Sequence, residues 1–394
     1  MTAPRKLGLA LVGVGGAVGS TVAAGLALLR RGAVDTTGLP LAEFGAGAFG
    51  LADYDALVVA GWDVFSANLT DAARHHRVLD AQQLALVEAE LASLQPWPGI
   101  ADAAFVHNLD GAHRITAAGR RAQVDTLRAD LRRFKTDHGL DAVVVINTAS
   151  TEKPSDPGAG VFADVAAFEA GLDRDDAQIG PAALYAYAAL SEGMAYGNFT
   201  PSSAVDLPAL SALARAKGLP VAGRDGKTGQ TFLKTVIAPA LRARALHVDG
   251  WYSTNILGNR DGEVLDDPDS LRAKLGTKGD VLDSVLGYRV ADHKVRIDYY
   301  RPRGDEKEAW DNIDVSGFLG YRMQIKVNFL ARDSILAAPL VIELARCLDL
   351  AQRRGQAGPI EALGTFFKAP MALNGEPQHA FGAQQLRFLD WLRG

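Results

Sequence analysis

Hydrophobic positions run unbroken through LGLALVG from residue 7. They give way to a glycine cluster and then to STVAAGLALLRRG, whose apolar spacing is that of a helix stopped at Gly32. DALVVAGWD (55–63) and DAVVVINTAS (141–150) repeat the short apolar run of a strand buried on both faces. Helical patterns separate these runs: a charged stretch from about Asp71 to Leu94, halted at Pro96 and Pro98, and Thr116 to His138, closed by Gly139. Ala182 to Ser191 is a further helix, and Ala195 to Phe199 a short segment leading into Thr200-Pro201. Strands alternating with helices predict an α/β fold with a doubly wound parallel sheet over roughly the first 240 residues. The texture then changes. VDGWYSTNILG, VRIDYYRPR and YRMQIKVNF are β-rich, alternating and aromatic, which predicts an antiparallel sheet with one packed face. From Ser334 onward, LAAPLVIELARCLDLAQRRG returns to helix. The expected organisation is therefore one domain from 1–245 plus 334–394, interrupted by an inserted α+β domain at 246–333.

Composition narrows the partners. A chain of 394 residues with 48% hydrophobic and 22% charged positions can bury a sizeable core. The formal charge of −5 speaks against nucleic acid, whose readers carry a basic surplus. The single cysteine, Cys347, excludes an internal disulfide framework and suits a reducing, cytoplasmic setting. No Cys/His cluster has zinc-site spacing, so the sequence names no metal ligand set. The uncharged stretch from Leu7 to Leu29 has the outline of a signal peptide or membrane span. Glycines at 13, 15, 16 and 19 break it in the middle, which fits strand–turn–helix better than one continuous helix.

That break carries chemistry. Gly13-x-Gly15-Gly16-x-x-Gly19 departs from strict GxGxxG, because Val18 takes the slot of the third glycine. With a strand before and a helix after, it still predicts a Rossmann-type dinucleotide loop, backbone amides facing a pyrophosphate. Asp35 lies at the usual distance for the ribose carboxylate, whereas Asp63 ends the GWD strand; Asp63 suits the role better. No arginine pair beside it awaits a 2′-phosphate, which favours NAD. GRDGKTGQTFLKTV (223–236) is a second glycine-rich loop feeding a helix, hence a second anion site. Only 12 of the 41 basic residues are lysines, and eight of those fall between 227 and 368. A chain that otherwise uses arginine keeps lysine where a removable proton matters.

The segments GVGGAVGST, GWD, INTASTE, LYAYAAL with NFTPS, GRDGKTGQT, NILGNRDG, RAKLGTK, RPRGDEKEAWD, ARDSILAAPL and FFKAPM follow one another in a recognisable order. In that order and spacing the chain resembles the myo-inositol-1-phosphate synthase family over nearly its whole length, and looks most like the short archaeal-type members. The resemblance implies catalytic residues Lys274, Lys278, Lys307, Lys368, Asp225, Asp261 and Asp333. It implies a phosphate site of Thr228, Gly229, Gln230 and Lys278. It further implies NAD held by Gly13, Gly15, Gly16, Ala17, Val18, Gly19, Asp63, Thr148, Asp225 and Asp261. Thr228 stands where some members have serine, and the hydroxyl is kept.

The implied reaction converts D-glucose 6-phosphate to 1D-myo-inositol 3-phosphate by oxidation at C5, enolisation, aldol closure and reduction. Lys274 is expected to move the C5 proton and Lys278 to hold phosphate. Lys307 and Lys368 would polarise the C1 carbonyl, Asp225 orient a lysine, and Asp261 tune its neighbours. The resemblance also implies a homotetramer formed through the inserted domain, with a divalent cation, ammonium or potassium needed by some relatives. Three rival functions share parts of this reading: a cyclase making a five-membered ring from fructose 6-phosphate, a plain NAD-dependent dehydrogenase, and a non-catalytic NAD sensor.

Overall fold

The computed structural model describes residues 5–45, 47–106, 109, 111–258, 281–373 and 375–394. Its larger sheet is wholly parallel. It contains β1 (Leu7–Val12), β2 (Leu57–Asp63), β3 (Trp97–Pro98), β4 (Ala142–Asn147), β5 (Ala195–Asn198) and β6 (Pro220–Gly223), in the order β3-β2-β1-β4-β5-β6. A two-residue strand, Gly358–Pro359, comes back from the far end of the chain to pair with β6. Strand order reverses between β1 and β4, and ligands in such sheets bind in the crevice at that switch point.

Period-two alternation decides which helices cover which face. Leu7, Leu9 and Leu11 of β1 share a core with Val144 and Ile146 of β4, α1 (Ala17–Arg30), α9 (Asp333–Arg353) and α10 (Phe381–Arg393). Ala10, Val12, Val143 and Val145 point the other way, onto α4 (Arg120–Asp137), α6 (Pro181–Ser191) and α7 (Pro208–Ala216). The uncharged N-terminal stretch is thus a six-residue buried strand, a turn and a helix. No described helix is long and apolar enough to cross a membrane.

Three expectations need correction. The charged stretch from Asp71 to Leu94 is two helices, α2 (Leu69–His76) and α3 (Ala81–Ala92). Arg77 breaks the run with φ +55°, and Asp80 restarts it as the N-cap of a capping box, a signal the even charge pattern obscured. The helix expected from Thr116 begins only at Arg120, with α5 (Val165–Asp173) and α7 appearing where no helix was expected. The smaller sheet is mixed rather than antiparallel. It contains β7 (His247–Leu257), β8 (Asp292–Tyr299), β9 (Glu306–Ser316) and β10 (Arg322–Arg332) in the order β10-β9-β7-β8. β9 pairs antiparallel with both β7 and β10, but β7 and β8 run parallel. A parallel neighbour needs a crossover connection, and the described residues before β8 include a helical turn at 281–286.

One face of this sheet packs Val248, Trp251, Ile313 and Val315 against Ala238 and Leu241 of α8 (Gln230–Ala243) and against Leu282, Val285 and Leu286. Helix α8 therefore joins the two sheets. The chain then re-enters the larger unit through α9, and Gly358–Pro359 becomes β11.

Helix α9 carries buried charge in its middle. Glu343 accepts from Tyr54 Oη at 2.7 Å and from the Leu41 amide at 3.2 Å, and pairs with Arg346 one turn on. Arg346 also donates to the Ala52 carbonyl and lies 4.1 Å from the centre of the Tyr54 ring. The network anchors the loop between α1 and β2. Removing one partner from a buried pair strands the other charge, at roughly 3–5 kcal/mol. Arg346→Met is expected to lower unfolding free energy by about that much; an unchanged denaturant midpoint would show that the network carries no load.

Candidate active site

The nucleotide loop is shaped by backbone contacts. The amides of Gly13 and Val14 both donate to the Trp62 carbonyl, at 2.9 and 3.1 Å, fastening the turn across the ends of β1 and β2. Gly13 has φ +84°, a conformation open to glycine. A Cβ on Gly19 would lie 2.5 Å from the Val14 carbonyl oxygen, so Gly19 supplies the close helix–loop approach that Val18 cannot. The N-cap of α1, Gly16, offers no side-chain cap, leaving the first-turn amides to an outside acceptor. Asp63 accepts the Gly15 amide on Oδ2 at 2.9 Å and the Phe65 amide on Oδ1 at 3.0 Å. Asp35 lies elsewhere, on the rim of a different cavity. Thr148 donates its hydroxyl to the Val12 carbonyl at 2.9 Å, closing the loop from the β4 side.

The second wall is the 223–228 loop, held by two segments distant in sequence. Gly226 forms an antiparallel bridge with Phe367. The amides of Arg224 and Lys227 donate to Ala369 and Phe366, and those of Lys368 and Met371 donate back to Asp225 and Gly223. On the other side, Asp225 and Gly226 donate to the carbonyls of Thr200 and Phe199. A Cβ on Gly226 would lie 2.2 Å from the Phe199 ring, so glycine is what permits this sandwich. Its outcome is a buried ion pair: Lys368 Nζ donates to Asp225 Oδ1 at 2.8 Å, with both side chains at most a tenth exposed.

A second chain of contacts lies beside it. Thr228 donates its hydroxyl to Asp333 Oδ1 at 2.8 Å, and Lys307 Nζ reaches Asp333 Oδ2 at 3.4 Å. Asp305, buried at the turn before β9, fixes the start of α9 by accepting the Ser334 amide and hydroxyl at 3.1 and 2.8 Å. Gln230 behaves differently from the expectation for its side chain. Its amide donates to Asp311 at 3.0 Å and accepts from Asn255, so it faces the smaller sheet, and only its backbone is left for an anion.

One cleft gathers these groups. Its lining includes Gly13, Gly16, Ala17, Val18, Asp63 and Thr148 from the first wall, and Asp225, Thr228, Lys307, Asp333 and Lys368 from the second. Asp261, Lys274 and Lys278 lie outside the described residues. His76, whose ring nitrogen sits 3.0 Å from the Gly15 carbonyl, Ser334 and Asp305 were not read from the sequence. No local pattern in ARHHR marks His76, whereas Asp305 and Ser334 sit inside RPRGDEK and ARDSIL, where the neighbouring Lys307 and Asp333 carry the plainer chemical signal. Among the described residues no cluster of three or more His, Cys, Asp or Glu could hold a metal ion.

The family model described as myo-inositol-1-phosphate synthase matches residues 47–393. The chain belongs to the myo-inositol-1-phosphate synthase family. Among the family's curated proteins, inositol-3-phosphate synthase 1 of Bacteroides thetaiotaomicron is 41% identical over 96% of this chain and 92% of its own length. The rice protein of the same name is 30% identical over 89% of this chain and 76% of its own length. The crystal structure of inositol-3-phosphate synthase from Caenorhabditis elegans superposes with a TM-score of 0.91 at 26% identity, covering 99% of this chain and 85% of that one. A related protein from Thermotoga maritima shares the fold, with a TM-score of 0.81 at 22% identity and 99% coverage of both chains. The family binds NAD, and the residues present fit that group. The glycines leave room that a Cβ would fill, the α1 N-terminus lacks a side-chain cap, and Asp63 stands at the end of β2.

Beside the cleft, Glu152 of the INTASTE segment accepts the Ala182 amide on Oε1 at 2.8 Å, serving as a remote cap for α6. Full burial pushes its carboxyl up to about 8, only partly offset by that hydrogen bond. The folded pKa lies above the unfolded value, so this contribution to stability is complete below about pH 4.5 and is lost as pH rises through about 8. Glu152→Gln, which keeps the acceptor and cannot ionise, is expected to flatten the fall in denaturation midpoint between about pH 5 and about pH 9. A variant with the same pH slope as the parent would mean that Glu152 ionises no less readily folded than unfolded.

Proposed function

We propose that the chain is an inositol-3-phosphate synthase, converting D-glucose 6-phosphate to 1D-myo-inositol 3-phosphate in the cleft described above. The observation that carries this reading is the meeting, in one cleft, of a dinucleotide loop with two lysines already paired to aspartates. A dehydrogenase that released its reduced cofactor would not need fixed cations at two substrate oxygens. Residues 1–245 and 334–394 hold the nucleotide in this proposal, and 246–333 contributes catalytic lysines and assembly.

NAD, when bound, accepts hydride from C5 and returns it at the end, so there is no net redox change. Everything else falls to the chain's own groups. The backbone of Thr228, Gly229 and Gln230, with Lys278, holds the phosphate at the N-terminus of α8, where helix amides favour an anion. Lys274 moves the proton at the C5 oxygen. Once C5 is a ketone, C6 becomes acidic, and its deprotonation places negative charge on the C5 oxygen. Attack of C6 on C1 then moves that charge to the C1 oxygen. Lys307 and Lys368 stand there as cations, and a preorganised cation costs no reorganisation as the charge arrives. Asp225 orients Lys368, and Asp333 couples Lys307 to the Thr228 hydroxyl; the 2.8 Å contacts of each aspartate support these roles. Asp261 tunes the lysines near it. The reading places the enzyme in the cytoplasm as a homotetramer, supported by Phe318 and Leu319, each 89% exposed at the tip between β9 and β10. A divalent cation, ammonium or potassium would enter as a supplement to the assay.

Purified protein supplied with NAD and, separately, glucose 6-phosphate or fructose 6-phosphate is expected to yield an inositol phosphate from the glucose ester, without NADH accumulating, by phosphorus and carbon NMR. A cyclopentane product from fructose 6-phosphate alone would overturn the substrate, and accumulating NADH the closed cycle. Lys307→Met removes a cation on the cleft wall. It is expected to lower kcat/KM by at least about 100-fold, roughly the loss of one oxyanion donor, while leaving the denaturation midpoint nearly unchanged. Near-full activity would remove Lys307 from the mechanism.

A further inference from the structure

Lys227 stands between Asp225 and Thr228 in the GRDGKTG loop, yet it does not line the catalytic cleft. Asp225 takes φ +61°, outside extended strand geometry, so this loop does not keep strand alternation, and Lys227 leaves the side that Asp225 faces. Lys227 is 3% exposed, and its amino group donates to Gln384 Oε1 and stands 5.4 Å over the Phe381 ring. Among the described residues no carboxylate is paired with it, and burial alone draws its pKa down to about 7. A buried lysine whose partners are an amide and a ring lacks a counter-charge.

Lys227 forms part of the wall of a second cavity, about 590 Å³, within the size range of small-molecule sites. The walls are otherwise mainly apolar, with Leu28, Leu29, Leu39, Leu336, Phe366 and Phe381 prominent. Lys227 is the one basic residue among the described lining, and the acidic one, Asp35, is exposed at the rim and accepts the Thr37 amide at 2.9 Å. Thr228 lines both cavities, so an occupant here touches the reverse side of the loop whose hydroxyl holds Asp333.

We propose that this cavity binds a small monocarboxylate with an apolar body, its head on Lys227 and its body among the leucines and phenylalanines, and that occupancy acts on the catalytic cleft through Thr228. One ammonium matches one negative charge, and the mainly apolar walls match an apolar body. The binding half stands on geometry alone; the effect on turnover rests on the proposed function.

The test is calorimetric titration of the NAD-loaded enzyme with octanoate and with octan-1-ol. Octanoate is expected to bind once per chain and at least about tenfold more tightly than the alcohol, the order of a charged hydrogen bond. Lys227→Met should abolish that preference. Gly25→Phe gives a control that does not touch Lys227. Gly25 lines the same cavity from α1, and a Cβ there meets nothing within 4 Å, so the new ring fills the space while the helix gains a better former than glycine. That variant should lose octanoate binding with its denaturation midpoint unreduced. Absence of octanoate binding, equal binding of the alcohol, or retained binding in Gly25→Phe would each overturn the site. Octanoate is further expected to change KM or kcat at least twofold in the parent and not in Gly25→Phe. Binding without that change would overturn the coupling, and binding without any cyclisation would overturn the proposed function and leave the site standing.

Discussion

The salt bridge between Asp225 and Lys368 is the constraint on which the cleft depends. Its two residues are 143 apart in sequence and both buried, so each charge is tolerable only because the other is there. Backbone pairing of 223–227 with 366–371 places them face to face. The same pairing sets Thr228 where it reaches Asp333, and Asp333 in turn meets Lys307. A loop, a C-terminal segment and the junction between the smaller sheet and α9 thus settle together.

Helix α8 ties this arrangement to the smaller sheet. Its first residue, Gln230, is fastened to Asp311, which also accepts from Trp251 Nε1 at 2.7 Å and Ser253 Oγ at 2.6 Å. Deeper in the helix, Lys234 lies 2.9 Å from His293 and over the Trp251 ring. Burial lowers the pKa of Lys234 to about 8, opposed by Asp311. The smaller sheet therefore holds the N-terminus of α8, the end that faces the cleft, through the buried contacts of Asp311 with Gln230, Trp251 and Ser253. A carboxylate satisfied by several donors rigidifies its surroundings, whereas half of such a network would be worse than none.

Much of this was legible in the sequence where the signal is local. The unbroken apolar runs of β1 and β4 announce strands buried on both faces, because side-chain alternation then meets hydrophobic cores on each side. The displaced glycine motif marks its own turn, and Asp63 is marked by ending a strand. Less legible was the division of the 71–94 stretch at Arg77, where a single left-handed residue ends one helix and only the Asp80 cap betrays the next. The parallel pairing of β7 with β8 was hidden as well, since alternation reports which face is buried and says nothing of a neighbour's direction.

By itself, then, the sequence determined the alternation of strands and helices, the glycine turn at β1, the second glycine loop, and the family to which its motifs point. These are properties of neighbouring residues, set by periodicity and local backbone preference. Tertiary structure alone decided which charges meet. Asp225 pairs with Lys368, and Asp333 bridges Thr228 and Lys307. Gln230 spends its amide on Asp311, and Lys227 turns its back on the cleft toward a cavity of its own. Those outcomes rest on contacts between separate segments, 26 residues apart for Lys307 and Asp333, 105 for Thr228 and Asp333 and 143 for Asp225 and Lys368, and no local pattern encodes them.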